Sequence, residues 1–452
     1  MQHYCTMNMA QSVAFYTLGC KLNYSETSTL SQKMLEAGFN KTDFTAGADI
    51  YVINTCSVTD HADRKCKKVV REALKFNPNA QVVVMGCYAQ LRPEEIAHIP
   101  GVSMVLGAGE KFRILEHLSA LQSDPKGSSN PSSKIFRTPI KEVRDFVPGF
   151  SLGDRTRSFL KVQDGCDYFC TFCTIPLARG KSRSLNVSET VKVAQELAQS
   201  QVKEVVLTGC NLGDFGVNHN QNFLDLISAL DQVEGIERFR ISSIEPNLLS
   251  NDMIDFVAQS KKFAPHFHIP LQSGSNEILQ LMRRKYEREL YADRVQRIKK
   301  QMPHCAIGVD VIVGFPGETH EHFLETYAFL NELDITYLHV FPYSERPQTG
   351  AIKMPNPVAV KVRKERTEQL RNLSDKKRNY FYKQHVGKSY SVLFEREEKG
   401  GKMYGFTPNY IKVALDYDPM LVNEMVEVVL QDPEPNFELI HAEVPVYNTA
   451  LT

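Results

Sequence analysis

The sequence predicts an α/β protein in three parts: an N-terminal parallel-sheet domain, a central partial, TIM-like (βα)6 barrel, and a small C-terminal antiparallel β-barrel. Three observations predict it. Apolar β-branched runs alternate with polar helical stretches over the first 125 residues, six further strand–helix units fill residues 151–384, and short Gly-punctuated runs without helical spacers end the chain. Strands separated by helices need crossovers and so pair in parallel, whereas short runs joined by turns pair antiparallel.

In residues 1–125, Val13–Leu18, Ile50–Ile53 and Val82–Met85 read as strands buried on both faces, with helices over Ser25–Ala37 and Ala62–Lys75. The stretch LQSDPKGSSNPSSK, residues 121–134, is rich in Ser, Pro, Gly and Asn, and a linker is expected over 126–150. In the central domain, 151–384, the strands expected are Phe159–Val162, Val205–Leu207, Phe239–Ser242, His266–Ile269, Ile307–Val313 and Tyr337–Phe341. Such barrels place their chemistry on loops at the C-terminal strand ends. A helix over Lys361–Lys383 carries nine Lys/Arg against three Asp/Glu. In residues 385–452 the runs Ser389–Phe394, Met403–Phe406, Tyr410–Val413, Met425–Leu430 and Phe437–His441 make the last barrel.

Composition removes several classes of function. Lys and Arg balance Asp and Glu at 53 each, so no global field draws the 452-residue chain to polyanions. No apolar run approaches the roughly 18 residues of a membrane span. The first residues are polar where a secretory core would be apolar, so no membrane partner and a cytoplasmic location are expected. Ten cysteines in such a chain point to metal or catalysis before disulfides.

Cys166, Cys170 and Cys173 follow the first barrel strand as CxxxCxxC. Three thiolates on one loop can hold three corners of an iron–sulfur cube and leave one iron open. The competing reading, a zinc knuckle, lacks its fourth ligand. A second group is less obvious: VAFYTLGC, YVINTC and VVVMGC are three strands that each end in a cysteine, Cys20, Cys56 and Cys87. Neighbouring parallel strands end together, so these thiols can share one crevice, and Gly19 and Gly86 allow close backbone approach. Cys5, Cys66, Cys210 and Cys305 have no comparable context and read as spectators.

The CxxxCxxC loop resembles that of the radical S-adenosylmethionine (SAM) superfamily, with Phe172 at the aromatic position beside the adenine. GCKLN at Gly19–Asn23, NTC at Asn54–Cys56 and GCYAQ at Gly86–Gln90 then resemble the methylthiotransferase family over nearly the whole chain. The resemblance implies two 4Fe-4S clusters, each on one cysteine triad, and a C-terminal TRAM domain that binds RNA in relatives. It also implies two SAM molecules per turnover, one methylating a sulfur on the upstream cluster and one yielding the radical. NTCSVTDHADRK (Asn54–Lys65), CTFCTIPLARGKSRS (Cys170–Ser184), RISSIEP (Arg240–Pro246) and YGFTPNYIKV (Tyr404–Val413) resemble the branch acting on carbon 2 of threonylcarbamoyladenosine at position 37 of tRNA. Methylthiolation of isopentenyladenosine, or of a ribosomal-protein aspartate, is the alternative. Cys210 and Leu177 depart from the usual wording, which leaves the local pocket lining open.

The barrel loops supply the remaining candidates. Gly209 and Asn211, Ser243 and Glu245, Gln272 and Gly314 follow successive strands and are expected to meet SAM. Gly209 reads equally as a plain turn, and each polar residue equally as structural. Arg179, Lys181, Arg183 and Lys388 are expected near phosphates of the tRNA anticodon stem-loop. The chain after Lys412 holds no Lys or Arg, and eight Asp/Glu lie between Asp416 and Glu443, which confines such contact to the earlier strands of the last barrel. The family resemblance further implies a flavodoxin- or ferredoxin-type reductant, an unidentified sulfur donor and a monomer.

Overall fold

Alternating side chains bury both faces of the first sheet, and that dictates its layers. The computed structural model describes residues 11–56, 60–122, 133–153, 156–434 and 438–445. Cys5 and residues 57–59 of the NTCSVTDHADRK stretch lie outside the described residues. Strands β1 (Ser12–Thr17), β2 (Asn40–Lys41), β3 (Ile50–Thr55), β4 (Gln81–Gly86), β5 (Val102–Leu106) and β6 (Lys134–Phe136) are all parallel, in the order 2-1-3-4-5-6. Val13, Ile50, Val52, Val83 and Met85 pack against Leu30 and Met34 of helix α1 (Lys21–Glu36). Ala14, Tyr51, Ile53, Val82 and Val84 pack on the opposite face against Val69, Val70 and Ala73 of α2 (Asp60–Phe76).

The expected linker is corrected in part. Residues 134–136 add the sixth strand to this sheet, and the first unit runs to Ser151. A three-residue edge strand has too few alternations to stand out from the Ser- and Pro-rich stretch before it. The unit also takes in Asp164–Asp167 and Cys173–Lys181, which include helix α4 (here Ile175–Arg179, after the short α3, Cys87–Leu91).

The second unit holds the barrel and the C-terminal domain together. Its six strands, β7 (Ser158–Lys161), β8 (Glu204–Thr208), β9 (Arg238–Ile241), β10 (His266–His268), β11 (Ala306–Val313) and β12 (Tyr337–Pro342), fall where the alternation placed them. They form two parallel sheets, 9-8-7 and 10-11-12, joined by a parallel bridge between Ser243 and His268. The basic stretch is one long helix, α5 (Val360–Lys383).

The last domain is a closed five-stranded barrel of β13 (Ser389–Lys399), β14 (Lys402–Phe406), β15 (Lys412–Asp416), β16 (Met425–Pro433) and β17 (Ile440–Glu443). It is not wholly antiparallel: β15 and β17 pair in parallel to close it. Within this unit Glu204 binds Arg240 at 2.9 Å and Arg238 at 3.1 Å, and both guanidiniums reach the C-terminal barrel. Arg240 donates to the carbonyls of Pro408 (2.8 Å) and Thr407 (3.2 Å), and Arg238 to that of Ser391 (2.8 Å). Burial alone would raise the Glu204 carboxyl, but Arg240, Arg238 and Arg157 outweigh it and hold it at about 2. Thus Arg240 of RISSIEP and Thr407 of YGFTPNYIKV are two sides of one contact.

His385 sits in this junction, 2% exposed, with Tyr390 Oη 2.6 Å from its Nδ1. Burial, with Lys388 nearby, pushes its pKa down to about 4. An unfolded chain takes up this proton near pH 6.5, whereas the folded chain refuses it until about 4. Stability is therefore expected to fall as pH drops through that window, by up to about 3 kcal/mol at the bottom. Thermal melts followed by circular dichroism from pH 7 to 4.5 check this, and His385→Gln should flatten the slope.

Candidate functional site

The order 2-1-3-4 reverses direction between β1 and β3, and such a switch point opens a crevice at the C-terminal strand ends. The register aligns Thr17 with Asn54, Asn54 with Met85, and Thr55 with Gly86. Cys56 and Cys87 follow Thr55 and Gly86 directly, and Cys20 follows Thr17 after two intervening residues. A β-carbon added to Gly19 would lie 2.6 Å from Cys56 Cβ and 3.2 Å from its Sγ, so the turn before Cys20 passes close to the Cys56 side chain. Cys87 is close enough to Cys20 for the two charges to interact. Gly19 and Gly86 both have positive φ, +111° and +102°, which favours glycine.

Two asparagines from the motifs fasten these loops. Asn23 Nδ2 donates to the carbonyls of Leu18 (2.9 Å) and Thr55 (3.0 Å), bridging the turns before Cys20 and Cys56. Asn54 Nδ2 returns a bond to the Asn23 carbonyl at 3.0 Å. Burial pushes the Cys87 thiol up, while Arg179 and Lys111 pull it down. Cys66 and Cys305 are fully buried and their thiols rise to about 12, which fits their reading as inert spectators.

Arg179 and Arg183 correct an expectation. Both are buried, at 3% and 8% exposure, and so are withdrawn from any phosphate surface. Arg179 donates to Glu26 (3.0 Å), Asp164 (2.9 Å) and Asn23 (2.5 Å), and Lys111 donates to Glu26 at 2.6 Å. Local charge reads as solvent exposure, and partners 153 residues apart leave no local signal. Lys181 and Lys388 are exposed. On α5 the face is thinner than the charge count suggests, because Arg363 and Arg366 turn inward to Glu345 and Glu318.

The triplet is divided between the units. Cys166 and Cys173 belong to the first and Cys170 to the second. Ile175 N–H points at Cys173 Sγ, 3.4 Å away, and Cys166 N–H bonds the Gly180 carbonyl at 3.0 Å. In the second unit Arg284, which the sequence reading missed, approaches Cys170 Sγ at 3.2 Å and forms an ion pair with Glu245. It stands in a run of basic residues with no periodicity to single it out.

The other barrel candidates divide by what they touch. Ser243 Oγ lies 3.1 Å from His268 Nδ1, and His268 Nε2 lies 2.8 Å from Asp310. Asp310 is in register with His339, and the three potential donors lie within 4.8 Å of one another. Gln272 adopts φ +69°, rare for a side chain-bearing residue and common at working sites. Its carbonyl accepts from Ile312 N–H at 2.9 Å. Gly209 leaves room for Gln163, whose Oε1 accepts from the N–H groups of Cys210 (2.8 Å) and Asn211 (2.9 Å). The buried Asn211 Oδ1 has no hydrogen-bond partner among the described residues. Phe172 packs edge-on to Phe315, just after Gly314, with centroids 6.5 Å apart.

Comparison with known proteins follows the same division. Residues 12–107 match the Uncharacterized protein family UPF0004, and residues 160–330 the Radical SAM superfamily. A Bacillus subtilis protein named threonylcarbamoyladenosine tRNA methylthiotransferase MtaB is 43% identical, over 92% of this chain and 93% of that one. A protein of the same name from Aquifex aeolicus is 42% identical over 89% and 96%. The tRNA-2-methylthio-N(6)-dimethylallyladenosine synthase of Alkaliphilus oremlandii is 32% identical over 91% and 88%. The solved radical SAM methyltransferase TsrM from Kitasatospora setae shares the fold, with a TM-score of 0.55 and 16% identity over 76% of this chain and 77% of that one.

A β-carbon at Gly86 would stand 2.5 Å from both Asn54 Oδ1 and the Thr55 carbonyl, besides the strained φ. Gly86→Ala is expected to cost about 1–3 kcal/mol and to loosen the turn into Cys87. Chemical denaturation measures the loss of stability, and iron bound after anaerobic reconstitution measures the loss at the cysteine.

Proposed function

Because the chain belongs to the radical SAM methylthiotransferase family, with MtaB-named relatives up to 43% identical, we propose that it adds a methylthio group to carbon 2 of N(6)-threonylcarbamoyladenosine at position 37 of tRNA. The observation that supports the reading is the placement of Cys20, Cys56 and Cys87 just beyond the C-terminal ends of three in-register parallel strands. A radical SAM enzyme needs one thiolate triad, and a second on its own sheet suits sulfur delivery. The dimethylallyladenosine reading is weaker, resting on relatives 32% identical or less.

The residues fit the groups this chemistry requires. Three thiols free of disulfides at a strand-end crevice suit three corners of a 4Fe-4S cluster, and Cys166, Cys170 and Cys173 suit a second. When bound, the clusters and SAM supply the electron, the 5′-deoxyadenosyl radical and the sulfur, which no acid–base side chain can provide for an unactivated aromatic carbon. The chain's own groups bind and orient. Asn211 Oδ1 is a buried acceptor suited to a ligand ammonium, and Arg284 places positive charge beside Cys170. Phe172, Phe315 and Tyr343 form an apolar wall that excludes water. Ser243, Glu245, Gln272 and Gly314 stand at the strand ends, where ribose and adenine would be read.

The partners follow from the chemistry. The tRNA base must be unstacked and turned out of its loop to reach a barrel interior. A flavodoxin- or ferredoxin-type donor fits the one-electron demand, and the protein acts as a monomer in the cytoplasm. No helix among the described residues is long and apolar enough to cross a membrane.

Nucleoside mass spectrometry of tRNA from a strain lacking the gene tests the reading. The methylthio mass on threonylcarbamoyladenosine should vanish while dimethylallyladenosine products stay unchanged. The reverse pattern would transfer the enzyme to the other substrate. Cys56→Ala should retain about four of about eight irons per chain and make no methylthio product.

A further inference from the structure

Resting on the function proposed above, we infer that Arg179 is a positioning residue that locks the segment carrying Cys166 to the helix that begins after Cys20. The observation is one buried network inside the first unit. The Arg179 guanidinium donates to Asn23 and Glu26 of α1 and to Asp164, at 2.5, 3.0 and 2.9 Å. Asn23 Oδ1, one of these acceptors, faces Cys20 Sγ at 3.8 Å, and Asn23 Nδ2 holds the Leu18 and Thr55 carbonyls. On the other side, Asp164 accepts from Gly165 N–H at 2.9 Å, one residue before Cys166. The chain of bonds therefore runs from one cysteine triad to a member of the other.

Burial argues that position, not stability, is what this network secures. Side-chain exposure is 4% for Arg179, 4% for Lys111, 0% for Glu26 and 2% for Asp164. Two cations and two carboxylates thus meet among the described residues. Taking four charges out of water costs so much that apolar side chains of equal volume are often as stabilising. What apolar packing cannot do is fix direction: a planar fork reaching three acceptors sets the angle between two chain segments, and a lysine cannot span them. Gly165 has φ +74° and lies against the Lys181 carbonyl, so the segment beyond Asp164 has little freedom to compensate.

The chemical consequence concerns coupling. A substrate carbon radical must collect the methylthio group before it is quenched, so a misdirected Cys166 segment should waste SAM. Loss of one charge-assisted bond in the fork, at about 1.5 kcal/mol, corresponds to about tenfold.

The test uses the full chain with Arg179→Lys, Arg179→Met and Asp164→Asn. First, each is placed in a Cys166→Ala/Cys170→Ala/Cys173→Ala background, where only the upstream site can load, and electron paramagnetic resonance reads it. A changed signal in Arg179→Met, with iron restored but the signal still altered in Arg179→Lys, supports the inference. Second, with all six cysteines present, methylthiolated nucleoside per 5′-deoxyadenosine should fall about tenfold in Arg179→Lys while 5′-deoxyadenosine still forms. Wild-type ratio and wild-type signal in Arg179→Lys and Asp164→Asn overturn it, even if Arg179→Met fails to fold. A wild-type enzyme that methylthiolates no tRNA overturns the proposed function instead, and the upstream signal then decides the role of Arg179.

Discussion

Parallel pairing in register governs this molecule more than any single side chain does. A thiol that is to share a metal group with two others from distant parts of the chain must be delivered to a common edge. Strands β1, β3 and β4 do this because their C-terminal ends align at Thr17, Asn54 and Met85. A slip of one residue would send alternate side chains to the wrong face and also separate the thiols. The two-sided hydrophobic burial that fixes the register therefore also fixes where the three cysteine-bearing strands end. Glycines at +111° and +102° then turn the chain sharply just before Cys20 and Cys87.

The second unit solves a different problem, holding a rigid barrel beneath working loops. Its polar anchor, Glu204 with Arg238 and Arg240, lies on the strands, away from the loops that follow Thr208 and Ile241. It binds main-chain carbonyls of the C-terminal barrel, which cannot be repacked as side chains can. Buried charge is tolerated there because every guanidinium finds an acceptor. The loops carry Gln272 at positive φ and the buried Asn211 oxygen that has no hydrogen-bond partner among the described residues.

The six barrel strands and the three cysteine-bearing strands of the first sheet were legible because strands buried on both faces write continuous apolar runs. Lys134–Phe136 was not, since an edge strand of three residues hidden behind a Ser- and Pro-rich stretch carries no period. The parallel closure between β15 and β17 was equally hidden, because strand direction in a barrel is set by distant partners. The cysteines of the site were legible from their placement at strand ends. Arg179 was misread as a surface cation, and Glu26, Asp164 and Arg284 passed unnoticed, because an ion pair between remote segments leaves no trace in either one.

The inward turn of so many arginines bears on how RNA is met. Arg179, Arg183, Arg238, Arg240, Arg363 and Arg366 are all buried, so a chain already neutral overall presents fewer cations than its composition implies. Each phosphate contact contributes a counterion-release increment, and a protein with few of them binds weakly and with shallow salt dependence. Phe169, between the first two cysteines of the triplet, is an apolar ring 64% exposed, and an aromatic ring can stack on any base without reading charge. Lys181, Lys388 and the outer side of α5 remain exposed.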